Sequence, residues 1–235
     1  MLRAVLFDAT GTLIELAEPV GETYARAAAC HGAAISAWRL ADAFARVLRG
    51  AAPPDYTEAR GPVDALERAW WRERVREVFL AADSAVRVRN FDACFADLWR
   101  HFGRGEAWRS RPGAEEALGA LREAGLATAV VSNFDSRLRD VLTDLGLAPR
   151  LSAIVLASDA RARKPDPALL RLALERLGCR PAEAALVGDD PARDLEPARR
   201  LGLVAVDARE LATLAALPAR LRALTRAPAD LQETR

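Results

Sequence analysis

Four short strings in this sequence carry side chains able to do chemistry. They are Asp8-Ala-Thr10-Gly-Thr12, Ser132-Asn133, Lys164-Pro165, and Gly188-Asp189-Asp190 followed by Asp194. Several carboxylates brought together repel one another unless a divalent cation joins them, and ligands that are all oxygen suit Mg2+. Such an ion usually takes a phosphate oxygen as a further ligand, so the set points to an anionic substrate. Lys164 and the Ser132 hydroxyl can hold the remaining phosphate oxygens. A carboxylate facing phosphorus is a nucleophile, and attack by Asp8 gives an aspartyl phosphate, which splits one difficult displacement into two easier ones.

These strings need elements that bring them to one place. Short apolar runs at Ala4 to Phe7, Ala127 to Val131, Ala153 to Leu156, Ala184 to Val187 and Leu203 to Val206 read as buried parallel strands. Between them lie helical patterns at Gly113 to Ala124, Asp135 to Gly146, Pro167 to Gly178 and Pro191 to Gly202. The series predicts an α/β fold, a Rossmann-like doubly wound parallel sheet with right-handed crossovers. Ligands of such sheets bind beyond the carboxyl ends of the strands, where each of the four strings falls.

From about Val20 to Phe102 the pattern is helical only, so the expected organisation is a core of residues 1–16 and 107–235 with a helical insert at 17–106. Trp70, Trp71, Phe91, Phe95 and Trp99 recur at helical spacing and are expected in the core of that insert. The segment after Leu217-Pro218, tapering to Gln232-Glu-Thr-Arg235, is expected to fray.

Composition excludes several classes. The chain has 235 residues with 34 basic and 33 acidic side chains, a net charge of +1, which gives no one-signed field for nucleic acid or an anionic membrane. No apolar run approaches a membrane span, and Asp8 interrupts the N-terminal run too early for a signal peptide, so the expected location is the cytoplasm. Cys30, Cys94 and Cys179 show no metal-ligand spacing and are expected as buried thiols. Lys164 is the only lysine, in a chain whose every other basic residue is arginine. A compact point charge in place of a planar fork suits a crowded anion site.

Taken in order, Asp8-Ala-Thr-Gly-Thr-Leu13, Ser132, Lys164-Pro165 and Gly188-Asp189-Asp190-x-x-x-Asp194 resemble the four motifs of the haloacid dehalogenase superfamily. The helical insert resembles its C1 cap. Pro19-Val-Gly-Glu-Thr-Tyr-Ala25 and Glu67-Arg-Ala-Trp-Trp71 resemble the rhythmically-expressed-gene-2-like subgroup. The resemblance implies Asp8 as nucleophile and magnesium ligand, Thr10 as a backbone-carbonyl ligand and Asp189 as the third protein ligand. Asp190 and Asp194 lie nearby, and Asp194 is counted with the metal set. It further implies Ser132, Asn133 and Lys164 around the phosphate of a small phosphorylated molecule.

One residue departs from the pattern. Phosphatases of the family carry a second Asp two positions after the nucleophile, which protonates the leaving oxygen and then activates water; here that residue is Thr10. A threonine hydroxyl is no acid or base near neutral pH, and such catalysis is worth about 10²- to 10⁴-fold. The expectation is a phosphohydrolase slow on ordinary esters and less handicapped on acyl or aryl phosphates. Glu15 and Asp135 are the substitute carboxylates nearest in sequence. Two other readings stay open: a protein that binds a phosphorylated ligand with negligible turnover, and a metal-independent 2-haloacid dehalogenase, which the acidic fourth motif disfavours.

Overall fold

The computed structural model describes residues 1–56, 62–85 and 87–226. In chain order the elements are β1 (Ala4–Phe7), β2 (Ile14–Leu16), α1 (Val20–Cys30), α2 (Ala37–Gly50), α3 (Val63–Ala82), α4 (Phe91–Phe102), β3 (Trp108–Ser110) and α5 (Ala114–Glu123). They continue with β4 (Ala127–Ser132), α6 (Leu138–Asp144), β5 (Ala153–Leu156), α7 (Ala157–Ala160), α8 (Ala168–Leu177), β6 (Ala184–Gly188), α9 (Glu196–Leu201), β7 (Val204–Asp207) and α10 (Leu217–Arg226).

Five strands form a parallel sheet in the order β5-β4-β1-β6-β7. Its strands read as unbroken apolar runs because both faces are covered, as parallel sheets require. Ala4, Leu6, Ala129, Val131, Ala184 and Leu186 form one buried cluster with Leu169, Leu170, Ala173 and Leu174 of α8. Val5 and Phe7 alternate to the opposite face and are equally buried. The strand order reverses at β1, and Phe7 lies level with Val130 on one side and Val187 on the other. β1 ends at this level, β6 one residue beyond it at Gly188 and β4 two residues beyond it at Ser132, so all three open onto the same edge.

Two compact units emerge. One comprises Met1–Glu15, Ser110–Phe134 and the chain from Gly146 onward; the other comprises Leu16–Arg109 and Asp135–Leu145. The second is helical, with Tyr24, Leu40, Val75, Val78, Phe79, Cys94, Phe95 and Leu98 at its centre and Trp71, Phe91 and Trp99 packed against them. Trp70 lies outside that cluster; its indole N–H donates to the Ala52 carbonyl (2.8 Å).

Several expectations need correction. The helix expected over 135–146 does connect β4 to β5 but is limited to α6, and residues 135–145 group with the helical unit. The reason is visible in three contacts: Glu67 Oε2 accepts from the Ser136 amide (2.9 Å), the Trp71 indole N–H donates to Asp135 (2.8 Å), and Arg137 donates to the Trp99 carbonyl (3.0 Å). The stretch read as one helix from Pro191 begins instead with a π-helical turn, Pro191–Leu195. After Leu217 the chain forms α10, with Leu217 and Leu221 buried, and residues 227–235 lie outside the described residues. Cys30 is exposed and Cys179 half-buried; only Cys94 is buried, and all three are free. Among the described residues no helix is long and apolar enough to cross a membrane.

Glu67 is a buried acid, and burial raises its carboxyl above the usual range despite the Ser136 amide and the Tyr56 hydroxyl. Glu67→Ala removes the acceptor of the Ser136 amide and is expected to cost about 1–3 kcal/mol of stability, the penalty for a donor left unsatisfied. Glu67→Gln keeps an acceptor there and is expected to cost less. Denaturant melts of the two variants test the difference.

Candidate active site

Asp8 stands where β1 gives way to a turn, not within a regular element. After β1 the chain runs into Ala9–Ile14, where the amides of Thr12, Leu13 and Ile14 all donate to the Ala9 carbonyl (3.2, 2.8 and 3.0 Å). Gly11 has φ +86°, and a Cβ there would lie 2.5 Å from Asp189 Oδ2, so a side chain would displace that carboxylate. Arg111 holds the turn from outside by donating to the Gly11 carbonyl (2.8 Å).

Asp8, Asp189 and Asp194 meet at this edge, each offering a carboxylate oxygen within 4.8 Å of the others. Lys164 is almost wholly buried between two of them and donates to Asp8 and to Asp194 (2.6 Å). Asp189 accepts from the Thr12 hydroxyl (3.4 Å). Asp194 also accepts from the Asp190 amide (3.2 Å), and the π-helical turn carries it back over Gly188, where a Cβ would meet it at 2.5 Å.

The loop that presents Lys164 is clamped to the end of β4. The Asn133 side chain accepts from the Lys164 amide (2.8 Å) and donates to the Lys164 carbonyl (3.0 Å). Ser132 is buried, and its hydroxyl oxygen accepts from the Phe134 amide (3.1 Å). Asp8, Ser132, Asn133, Lys164, Asp189 and Asp194 thus all belong to the sheet unit and gather at its carboxyl edge. Thr10 is exposed, and among the described residues its side chain makes no hydrogen bond.

Other acidic residues are committed elsewhere. Asp190 caps the following turn, accepting from the amides of Ala192 and Arg193 (both 2.9 Å) and from the Arg193 guanidinium (2.6 Å). Burial works against its charge, but those donors outweigh it and hold the carboxyl below the ordinary range. Asp135, one of the substitute carboxylates considered from sequence, has both oxygens taken by Arg137 (2.7 Å each), with Trp71 sharing one of them. It anchors its own segment. Glu15, the other, is not part of the acidic cluster. Sequence reasoning missed Arg111 and gave Thr12 no role of its own; each acts here through one hydrogen bond.

The electrostatics follow from three carboxylates and one ammonium. Burial, assisted by Asp194 and Asp189, raises the Asp8 carboxyl to about 6 in spite of Lys164. Burial also opposes the Lys164 charge, but Asp8 and Asp194 outweigh it and keep the ammonium protonated beyond its usual range. A donor set of oxygens alone, with negative charge in excess, fits a hard divalent cation.

Protons and such a cation compete for Asp8. Cation affinity is therefore expected to be level above pH 6 and to fall by up to about tenfold per pH unit below it, as calorimetric titration would show. In the ion-free protein the sign is opposite for stability. Asp8 binds its proton more tightly folded than unfolded, so its contribution is fully present below pH 3.8 and is lost as the pH rises through about 6.

A parallel α/β sheet with an inserted helical unit and acidic residues gathered at its carboxyl edge defines a class, the Rossmann-like α/β proteins whose ligand crevice lies beyond the strand ends. The family model for haloacid dehalogenase-like hydrolases matches residues 2–202, and the chain belongs to that family. It is 35% identical over 207 residues to the mouse haloacid dehalogenase-like hydrolase domain-containing protein 3, covering 86% of this chain and 80% of that one. It is 26% identical over 212 residues to the Rhythmically expressed gene 2 protein of Drosophila melanogaster, covering 85% and 80%, in keeping with the subgroup motifs. A phosphoserine phosphatase of Thermus thermophilus is 38% identical over 144 residues, covering 59% of this chain and 55% of that one.

Proposed function

We propose that this hydrolase is a Mg2+-dependent phosphohydrolase that acts on a small phosphorylated molecule through an aspartyl phosphate at Asp8. The observation that carries the reading is the convergence of Asp8, Asp189 and Asp194 on one point, with Lys164 between two of them. The similarity to a phosphoserine phosphatase supports the reaction class. The residues that would hold Mg2+ are Asp8, Asp189 and Asp194 with the backbone carbonyl of Thr10. The ion would offset the charge of the phosphate and make its phosphorus easier to attack.

The chain's own groups divide the remaining work. Lys164 and the Ser132 hydroxyl hold phosphate oxygens, and Asn133 keeps Lys164 in place through its two backbone contacts. Lys164 also offsets the charge of Asp8 before attack. Asp8 then displaces the leaving group, and water releases phosphate from the aspartyl phosphate. Thr10 can neither protonate the leaving oxygen nor activate water, so alkyl esters are poor substrates and aryl or acyl phosphates better ones. The helical unit is assigned the role of cap, which selects the substrate. The protein is assigned to the cytoplasm, in keeping with three cysteines that form no disulfide with one another.

Release of phosphate from an aryl phosphate tests the proposal. Turnover that needs Mg2+, stops with a chelator and vanishes in Asp8→Asn supports it. Halide release from a 2-haloacid without metal, or no turnover at all, overturns it.

A further inference from the structure

We infer that the helical unit carries a ligand site of its own, which takes the phosphate monoester of a small polyhydroxy molecule. Arg68 of α3, Arg100 of α4 and Arg104 just past it line one cavity of about 520 Å3 with Trp99 and with Asp140 and Asp144 of α6. Cavities of that size hold small molecules. Every residue that lines it belongs to the helical unit, and none belongs to the acidic cluster around Asp8. The inference does not rest on the phosphohydrolase reading of that cluster.

The guanidinium groups call for an anion. On the helix that carries Arg68, the side chains of Arg72, Arg74 and Arg76 each have a carboxylate partner. Arg68 and Arg104 have none among the described residues, and their side chains make no hydrogen bond there. Arg68 is nevertheless held in place: its guanidinium carbon lies 5.5 Å from the centre of the Phe95 ring and 5.8 Å from that of Trp99. Contact with an aromatic face leaves the N–H donors at the edge of the fork free for an oxyanion. Arg137 fixes Trp99 in turn, 3.6 Å from the ring centre, and its own donors are spent on Asp135 and the Trp99 carbonyl. Arg100 gives one N–H to Asp97 (3.0 Å) and keeps the rest of its fork. Three guanidinium groups offer more than one carboxylate can accept, whereas a phosphate monoester brings three strong acceptor oxygens and a charge near −2.

The carboxylates of the cavity describe the remainder of the ligand. Asp144 accepts from the Gly105 amide (2.8 Å). Asp140 is exposed and its side chain makes no hydrogen bond among the described residues, so one charged acceptor is left over beside the donors. Hydroxyl groups satisfy such an acceptor, and a second phosphate is repelled by it. This favours a polyol monophosphate over a polyphosphate.

The test is calorimetric titration of the full chain with glucose 6-phosphate and with inorganic phosphate, both in the presence of a chelator. Without a divalent cation the carboxylates of Asp8, Asp189 and Asp194 outnumber Lys164 and repel phosphate, so the heat reports the cavity of the helical unit. The expected result is saturable binding of one molecule per chain, weakened by added salt, with glucose 6-phosphate held more tightly than inorganic phosphate. Arg68→Gln and Arg104→Gln are each expected to weaken both probes about tenfold, the usual loss for a charged hydrogen bond, with unchanged thermal melts. Asp140→Ala is expected to tighten inorganic phosphate and to remove the preference for glucose 6-phosphate. No saturable binding of either probe at millimolar concentration overturns the inference, and so does binding that both arginine variants retain. Equal affinity of the wild type for the two probes overturns the polyhydroxy assignment. None of these results bears on Asp8, whose reading is tested by turnover with Mg2+.

Discussion

Lys164→Met is expected to cost the ion-free protein about 3–5 kcal/mol of stability at neutral pH, whereas Asp8→Asn is expected to cost nothing or to stabilise it. The asymmetry follows from the count of charges. Lys164 is the one ammonium between Asp8 and Asp194, and all three side chains are shielded from water. Removing it leaves two buried carboxylates facing each other with Asp189 close by, and breaking a buried pair strands a charge that water cannot reach. Removing the Asp8 charge instead leaves Lys164 paired with Asp194 and lowers the repulsion among the acids. On the proposed mechanism both substitutions abolish turnover, so activity does not separate them, but guanidinium melts do. Added Mg2+ is expected to restore part of the loss in Lys164→Met, because it supplies the missing positive charge, and to do little for Asp8→Asn. Lys164→Arg is a useful third variant: the chain uses arginine everywhere else, and a planar fork has no room in a pocket filled by one ammonium. Equal melts for Lys164→Met and the wild type would show that the ammonium is not the counter-charge of this cluster.

The residues of this cluster were legible because strands buried on both faces leave continuous apolar runs, and a polar residue at the end of such a run marks the sheet edge. Asp8, Ser132 and Asp189 each follow or end one of these runs, and the sheet order places β4 and β6 on either side of β1. What was not legible depended on partners distant in the chain. The pattern of 135–145 does not say with which elements the segment groups. Residues 135–137 are tied to Glu67, Trp71 and the Trp99 carbonyl, and a glutamate in a helix reads as a surface residue until its amide partner is known. The π-helical turn at 191–195 differs from an α-helix by a single residue in its hydrogen bonding, which periodicity does not resolve. Within it Asp194 accepts from Lys164, thirty positions away, a partner the local pattern does not show. Asp190 shows the same ambiguity from the other side, since an Asp before a Pro can be a ligand or a cap, and the amides of Ala192 and Arg193 decide for the cap.

Thr10→Asp is expected to raise kcat/KM on alkyl phosphates by about 10²- to 10⁴-fold, the usual value of a positioned acid and base. That factor corresponds to roughly 3–5 kcal/mol of barrier. The position tolerates the change because Thr10 is exposed and holds no side-chain hydrogen bond among the described residues, so a carboxylate there displaces nothing. The gain should depend on the leaving group. An alkoxide is a poor leaving group, and both its departure and the later attack of water benefit from the new carboxyl. An acyl or aryl leaving group departs without a proton, so only the second step is helped. In the wild type, rates across a series of phosphate esters are therefore expected to fall steeply as the leaving group becomes more basic, and in Thr10→Asp the slope is expected to flatten. The pH profile adds an independent reading: the variant should acquire an acidic limb on alkyl esters that tracks the ionisation of the new group. A variant with unchanged slope and unchanged rate would mean that proton transfer does not limit this enzyme, and the low reactivity assigned to Thr10 would have to be sought in how the substrate is held.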